Sequence, residues 1–144
     1  MATTTEIGGI RFKLPPRWTA ELAEDEDGAA AELQSPSVTF GIVGAYDPAI
    51  PPETLVDQAL TLLGEEHDSL ESEKLLDKTW KSGGVGVEAC FMSLDMVSYA
   101  WLRSWRVGAG EEARTVFVFL QGIEPEADPS RKAFAAICKS VVAA

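Results

Sequence analysis

The stretch Gly9-Ile10-Arg11-Phe12-Lys13-Leu14 alternates apolar and basic side chains with period two, the pattern of a half-buried strand, and Pro15-Pro16 ends it before Trp18. Two short extended segments, 18–22 and 29–33, flank the charged turn Glu24-Asp25-Glu26-Asp27-Gly28 and read as a hairpin. Ser35-Pro36-Ser37 is the next break. Residues 38–46 are β-branched and aromatic on both parities, which predicts a central strand covered on both faces. Helical periodicity begins after Pro51-Pro52, where Leu55, Val56, Ala59, Leu60, Leu62 and Leu63 form an apolar stripe. Pro52 suits a first turn, Glu53 complements the helix dipole, and Gly64 is the expected residue just past the end, so the helix is predicted over 52–64.

Glu65-Glu66-His67-Asp68 is then expected as a polar connection, followed by an extended pattern over 74–80 and three strands over 85–94, 97–107 and 114–121. Their connections, Ser82-Gly83-Gly84, Asp95-Met96 and Gly108-Ala109-Gly110-Glu111-Glu112, are short enough to join antiparallel neighbours, so these strands form a meander. Asp128-Pro129 reads as an N-cap followed by proline at N1. Phe134, Ile137, Cys138 and Val141 at i, i+3, i+4 and i+7 then predict a second helix over 128–142. The expected fold is α+β: a three-layer α/β/α sandwich with a central, mostly antiparallel sheet of about six to seven strands and the two helices on opposite faces.

Composition narrows the partners. The chain has 144 residues, 12 Lys plus Arg against 23 Asp plus Glu, a net charge of −11 and 46% hydrophobic residues, as expected of one domain spanning 1–144 with a sizeable core. A pI near 4.4 argues against nucleic acid, whose affinity comes largely from Lys and Arg displacing counterions, and against an anionic membrane face. The first residues carry neither a basic segment nor an apolar one, and no apolar run reaches about 18 residues. A cytoplasmic location is therefore expected unless a leader has been removed. Cys90 and Cys138 lie in apolar surroundings with no CxxC spacing and no neighbouring histidine, so they are expected as buried reduced thiols. Neither a metal nor a cofactor is expected.

The run Gly9-Ile10-Arg11-Phe12-Lys13-Leu14-Pro15-Pro16-Arg17-Trp18 resembles the "G-hydrophobic-x-Phe-x-hydrophobic-Pro-x-x-Trp" opening of PsbP-like domains. That fold is shared by photosystem extrinsic subunits, a Ran-binding nuclear-import factor and many uncharacterised bacterial proteins. The proline-led helix, the following strands and the C-terminal helix are similar to it across nearly the whole chain. The resemblance implies a binding or assembly subunit and not a catalyst. No partner-contact motif matches position by position, so no binding residue is carried over.

Candidate chemistry is sparse. His67, the sole histidine, is expected to be solvated beyond a helix end. Gly83-Gly84-Val85-Gly86 and Gly108-Ala109-Gly110 precede no helix and no Gly-Lys-Ser/Thr, so they read as turns and not phosphate loops. Asp25-Glu26-Asp27-Gly28 lacks the spacing of a calcium loop. Nucleophile, base and orienting group are not jointly visible, and an enzyme is not expected. Two features stand out. From Trp18 through Glu73 there are fourteen acidic residues and no Lys or Arg. If the 24–27 turn comes near 65–73, they form an acidic surface that steers a basic partner, with Glu65, Glu66, Asp68 and Glu71 as docking candidates. The other is the strand over 97–107, which places Tyr99, Trp101, Arg103 and Trp105 on one face. This stripe is helix-covered core, a homodimer contact, or a site for a small amphipathic ligand. The leading reading is a non-enzymatic interaction module with a protein partner, or a second copy of itself; the alternative is a ligand binder using the aromatic face.

Overall fold

The computed structural model describes residues 2–25, 28–74 and 84–144. Thr3–Ile7 (β1) and Ile10–Leu14 (β2) form a hairpin. Its turn, Gly8-Gly9, has φ of 48° and 90°, a conformation that costs glycine no Cβ clash. Thr19–Asp25 (β3) and Gly28–Gln34 (β4) pair antiparallel as the expected hairpin, and Phe40–Tyr46 (β5) follows. Helix α1 spans Pro52–Glu66, and then come Asp68–Lys74 (β6), Val85–Ser93 (β7), Met96–Val107 (β8) and Arg114–Ile123 (β9). Helix α2 spans Ala127–Ser140, and Val142–Ala143 (β10) closes the chain. Of the extended pattern expected over 74–80, residues 75–80 lie outside the described residues.

Among the described residues all the strand pairings are antiparallel, and they form two sheets. The larger has seven strands in the order β3-β4-β5-β9-β8-β7-β6, and the smaller has the order β1-β2-β10. The first predicted strand therefore belongs to a separate sheet and not to the central one. A period-two pattern says that a strand has one buried face; it does not say which strand it pairs with.

Alternate residues of the same strands feed two cores. Trp101 and Trp105 of β8 join Val116, Val118 and Leu120 of β9, Phe12 of β2, and Phe134, Ile137 and Cys138 of α2. Ala100 and Leu102 of β8 instead join Phe117, Ala89 and Phe91 with Val56 and Leu63 of α1. This division follows from the pleat, which points successive side chains to opposite sides. It also explains why β8 is apolar on both parities.

Both helix ends depart from expectation. Gly64 does not close α1, which runs on to Glu66, where the His67 N–H donates to the Leu63 carbonyl at 2.9 Å. A Cβ on Gly64 would sit 3.3 Å from Leu70 Cδ2, so glycine there lets β6 pack close to the helix. Consequently 65–68 is not a free connection: Glu65 and Glu66 are helical and Asp68 opens β6. Helix α2 begins at Ala127 after a 3₁₀ turn over Glu124–Glu126, which puts Asp128 inside the first turn and not at the N-cap. It stops at Ser140, short of the predicted 142, because Val142 and Ala143 pair with β2. The Ser140 hydroxyl fastens that end, accepting from the Lys13 N–H at 2.8 Å and donating to the Ile137 carbonyl at 2.7 Å.

Candidate functional site

The aromatic stripe of β8 lies under α2 and the small sheet. Trp101 and Trp105 are 1% and 0% exposed, and Arg103 is 8% exposed. The indole N–H of Trp101 donates to Glu88 Oε1 at 2.6 Å. Glu88 also accepts from Arg131 Nε at 3.0 Å and pairs with its Nη2 at 2.9 Å. The guanidinium of Arg131 lies 5.8 Å from the Trp101 ring centroid and reaches Asp128 at 3.0 Å. Its pKa is raised above the ordinary arginine value, chiefly by the hydrogen bond to Glu88. Gly86 stands opposite Arg103 in the register, and a Cβ there would come within 3.2 Å of the Arg103 side chain. The missing side chain makes room for the arginine stem. Tyr99 stacks on Trp101 with centroids 6.1 Å apart. Its phenol is held above the usual 10.0, first by electrostatic repulsion from the neighbouring Cys90 and then by burial. The two indoles thus belong to the packed interior and offer a ligand no open face.

The acidic candidates separate. Glu65 and Glu66 are exposed at the end of α1, Asp68 starts β6, and Glu71 is exposed on β6 opposite Cys90. Glu71 borders a small cavity of about 190 Å³ together with Glu88, Cys90 and Tyr99. Strands β3 and β6 are the opposite edges of the seven-stranded sheet. Six inter-strand spacings of about 4.8 Å put roughly 29 Å between them, so Glu24 on β3 and Glu71 on β6 form no single acidic surface, whereas Glu66 of α1 lies beside β5 and β9. His67 is not simply solvated, because its ring stacks on Phe91 with centroids 4.6 Å apart. Cys138 is buried and Cys90 half-buried, and neither is in a disulfide.

A different surface is open. Helix α1 packs chiefly on β6 to β9. Beyond it the sheet presents Phe40, Ile42 and Phe119, which share the parity of the α1-side residue Phe117. Phe40 is 43% exposed and Leu62, on the flank of α1, 56%. Two adjoining cavities of about 750 and 470 Å³ share Phe40, Ile42 and Phe119. The first runs out over β3 and β4 past Glu21 and Glu32, and the second lies against α1 beside Leu62, Glu66 and His67. Glu21 and Glu32 are directly opposed in the β3–β4 register, a like-charge cross-strand pair. Residues 38–46 read as covered on both faces because an apolar run carries no sign of where its covering layer stops. The usable signal was in the neighbours: Thr19, Glu21, Glu32 and Gln34 put polar groups on one parity of the hairpin, marking that face as wet.

Among the described residues no three His, Cys, Asp or Glu side chains gather as a metal site, and no helix is long and apolar enough to cross a membrane. The described residues thus form a mixed α+β fold with a seven-stranded antiparallel sheet, a three-stranded sheet, two helices and an open apolar groove with an acidic rim. Its backbone is similar to that of LpqN, a protein involved in cell envelope biogenesis of Mycobacterium tuberculosis, with a TM-score of 0.52. The match covers 99% of this chain and 90% of that one at 10% sequence identity, which makes the fold the shared property. No protein-family model and no curated protein matches the sequence.

Proposed function

We propose that this chain is a non-enzymatic interaction module of the PsbP-like type, working in the cytoplasm, that docks a protein partner in the groove beside α1. The observation that carries the reading is the uncovered apolar floor: Phe40 and Leu62 stand 43% and 56% exposed next to half-buried Ile42 and Phe119. Contiguous exposed apolar surface of this kind, rimmed by polar groups, is the usual mark of an interaction site. In this reading the fold is a three-layer α/β/α sandwich in which α1 fills only part of its own layer, and the partner completes it. The fold is shared with LpqN, a protein involved in cell envelope biogenesis, which is consistent with a non-enzymatic module. Glu66 beside the groove, Glu65 next to it in α1, and Asp68 and Glu71 along β6 supply a field that speeds encounter with a basic partner. Two cysteines outside any disulfide suit a reducing compartment.

The test is co-purification from the native host with the wild-type chain and with Phe40→Asp/Leu62→Asp. Both side chains are exposed, so the double variant should keep its circular dichroism spectrum and lose the partner. Retention of every partner by a folded double variant would sink the reading.

A further inference from the structure

The groove has a size and a charge that define its occupant. Strands β3, β4, β5 and β9 form its floor at one end of the sheet, and their three spacings of roughly 4.8 Å give a width of about 14 Å. An α-helix with its side chains is about 10–12 Å across. Each of β3, β4 and β5 has seven residues, about 23 Å of length, which a helix of about 16 residues matches at about 24 Å. One wall is α1 itself, through Leu62 and Leu63. A second helix laid beside it would bury Phe40 and Leu62 and extend the layer that α1 begins.

The rim is of one sign. Glu21 and Glu32 stand over the floor on one side and Glu66 on the other, and among the described residues no Lys or Arg lines either cavity. Glu21 and Glu32 also oppose each other directly across the strands, an arrangement that costs stability in the free chain and is relieved when a cation comes between them. An acidic rim around an apolar floor rejects a second copy of this chain, whose net charge is −11. The charge likewise excludes an anionic lipid surface.

We infer that the groove binds an amphipathic helix of a partner protein, with apolar residues at i, i+3 or i+4 and i+7 toward Phe40, Ile42 and Phe119 and with Lys or Arg flanking them toward Glu21, Glu32 and Glu66. This rests on the docking role proposed above and assigns its partner chemistry. Affinity comes from the apolar stripe, while the basic flanks select against neutral and acidic helices.

The test is selection from a displayed library of random peptides of about 16 residues on the intact chain, with counter-selection on Phe40→Asp/Leu62→Asp. Recovered peptides should show helical apolar spacing and an excess of Lys and Arg. Their binding, followed by fluorescence anisotropy, should weaken about tenfold in Glu21→Gln/Glu32→Gln/Glu66→Gln, since three rim charges are removed together, and should weaken again with salt. That triple variant removes repulsion and should melt no lower than wild type, so a loss of binding in it is not a loss of fold. The inference is overturned if no peptide is recovered, if the peptides lack a basic excess or alternate with period two as strands do, or if the triple variant binds them as wild type does. The docking role fails separately: basic helices that bind as described, together with host partners that survive Phe40→Asp/Leu62→Asp, uphold the groove chemistry and refute the docking role. Host partners lost from that variant while basic helices fail to bind would instead uphold the docking role and refute the groove chemistry.

Discussion

Glu88 holds two elements together, and its removal has a size that can be worked out from its contacts. Its Oε1 accepts from the indole N–H of Trp101, which is 1% exposed, and pairs with Arg131 of α2, whose side chain is 47% exposed. Replacing Glu88 by Ala leaves a buried N–H without its acceptor, at about 1–3 kcal/mol. Loss of the half-exposed ion pair adds at most about 1 kcal/mol, because solvent screens it. The expected destabilisation of Glu88→Ala is therefore about 2–3 kcal/mol. Glu88→Gln keeps an oxygen for the indole and loses only the charge, so it should cost about 1 kcal/mol or less. Arg131→Ala removes the same ion pair and the cation over the Trp101 ring, again about 1 kcal/mol. The double variant Glu88→Ala/Arg131→Ala should cost less than the sum of its parts by about 0.5–1 kcal/mol, as expected of residues in contact. Urea denaturation followed by far-UV circular dichroism measures all four, and the Trp101 indole proton resonance reports the hydrogen bond directly. If Glu88→Gln proved as damaging as Glu88→Ala, or if Glu88→Ala stayed within about 0.5 kcal/mol of wild type, the indole bond would not be the dominant contribution of Glu88.

Two further outcomes follow from single residues. Leu94 and Asp95, at the turn between β7 and β8, have φ of 51° and 62°, and Leu94 is 95% exposed; Leu94→Asn keeps the turn, tolerates the left-handed region better and loses no packing, so the melting temperature should rise by roughly 2–4 °C, and a fall in calorimetry would contradict this. The Tyr99 phenol, raised above 10.0 first by Cys90, is neutral in the folded chain where an unfolded tyrosine begins to ionise. Its stabilising contribution is complete below pH 10.0 and is lost as pH rises through the higher folded value; Cys90→Ser should bring the phenol back toward 10.0 in an NMR titration, and an unchanged titration would refute the cause named here.

Much of the local structure was legible because it is written in period and punctuation. The alternation at 9–14, the stripe from Leu55 to Leu63, the i, i+3, i+4, i+7 set from Phe134 to Val141 and the short glycine connections each state a local conformation, and the corresponding strands and helices are present. The helix ends were less legible: Gly64 signals a stop by its usual preference, yet its place is dictated by Leu70, which is close only in the folded chain.

Partnership between elements, by contrast, emerges only in the folded chain. The period-two pattern of β2 is silent on whether it joins the large sheet or pairs with Thr3–Ile7 and the last two strand residues, because pairing depends on backbone hydrogen bonds between segments distant in sequence. The aromatic stripe of β8 looked the same as core, interface or ligand face, and only the arrival of α2 over it makes Trp101 and Trp105 interior. Glu24 on β3 and Glu71 on β6 belong to one acidic stretch of sequence but lie on opposite edges of the sheet. Conversely, Phe40 and Leu62 read as ordinary apolar positions, and their exposure appears only where α1 stops short of the edge strands. Sequence periodicity determines which side of an element is apolar; what that side meets is set by the packing of the whole chain.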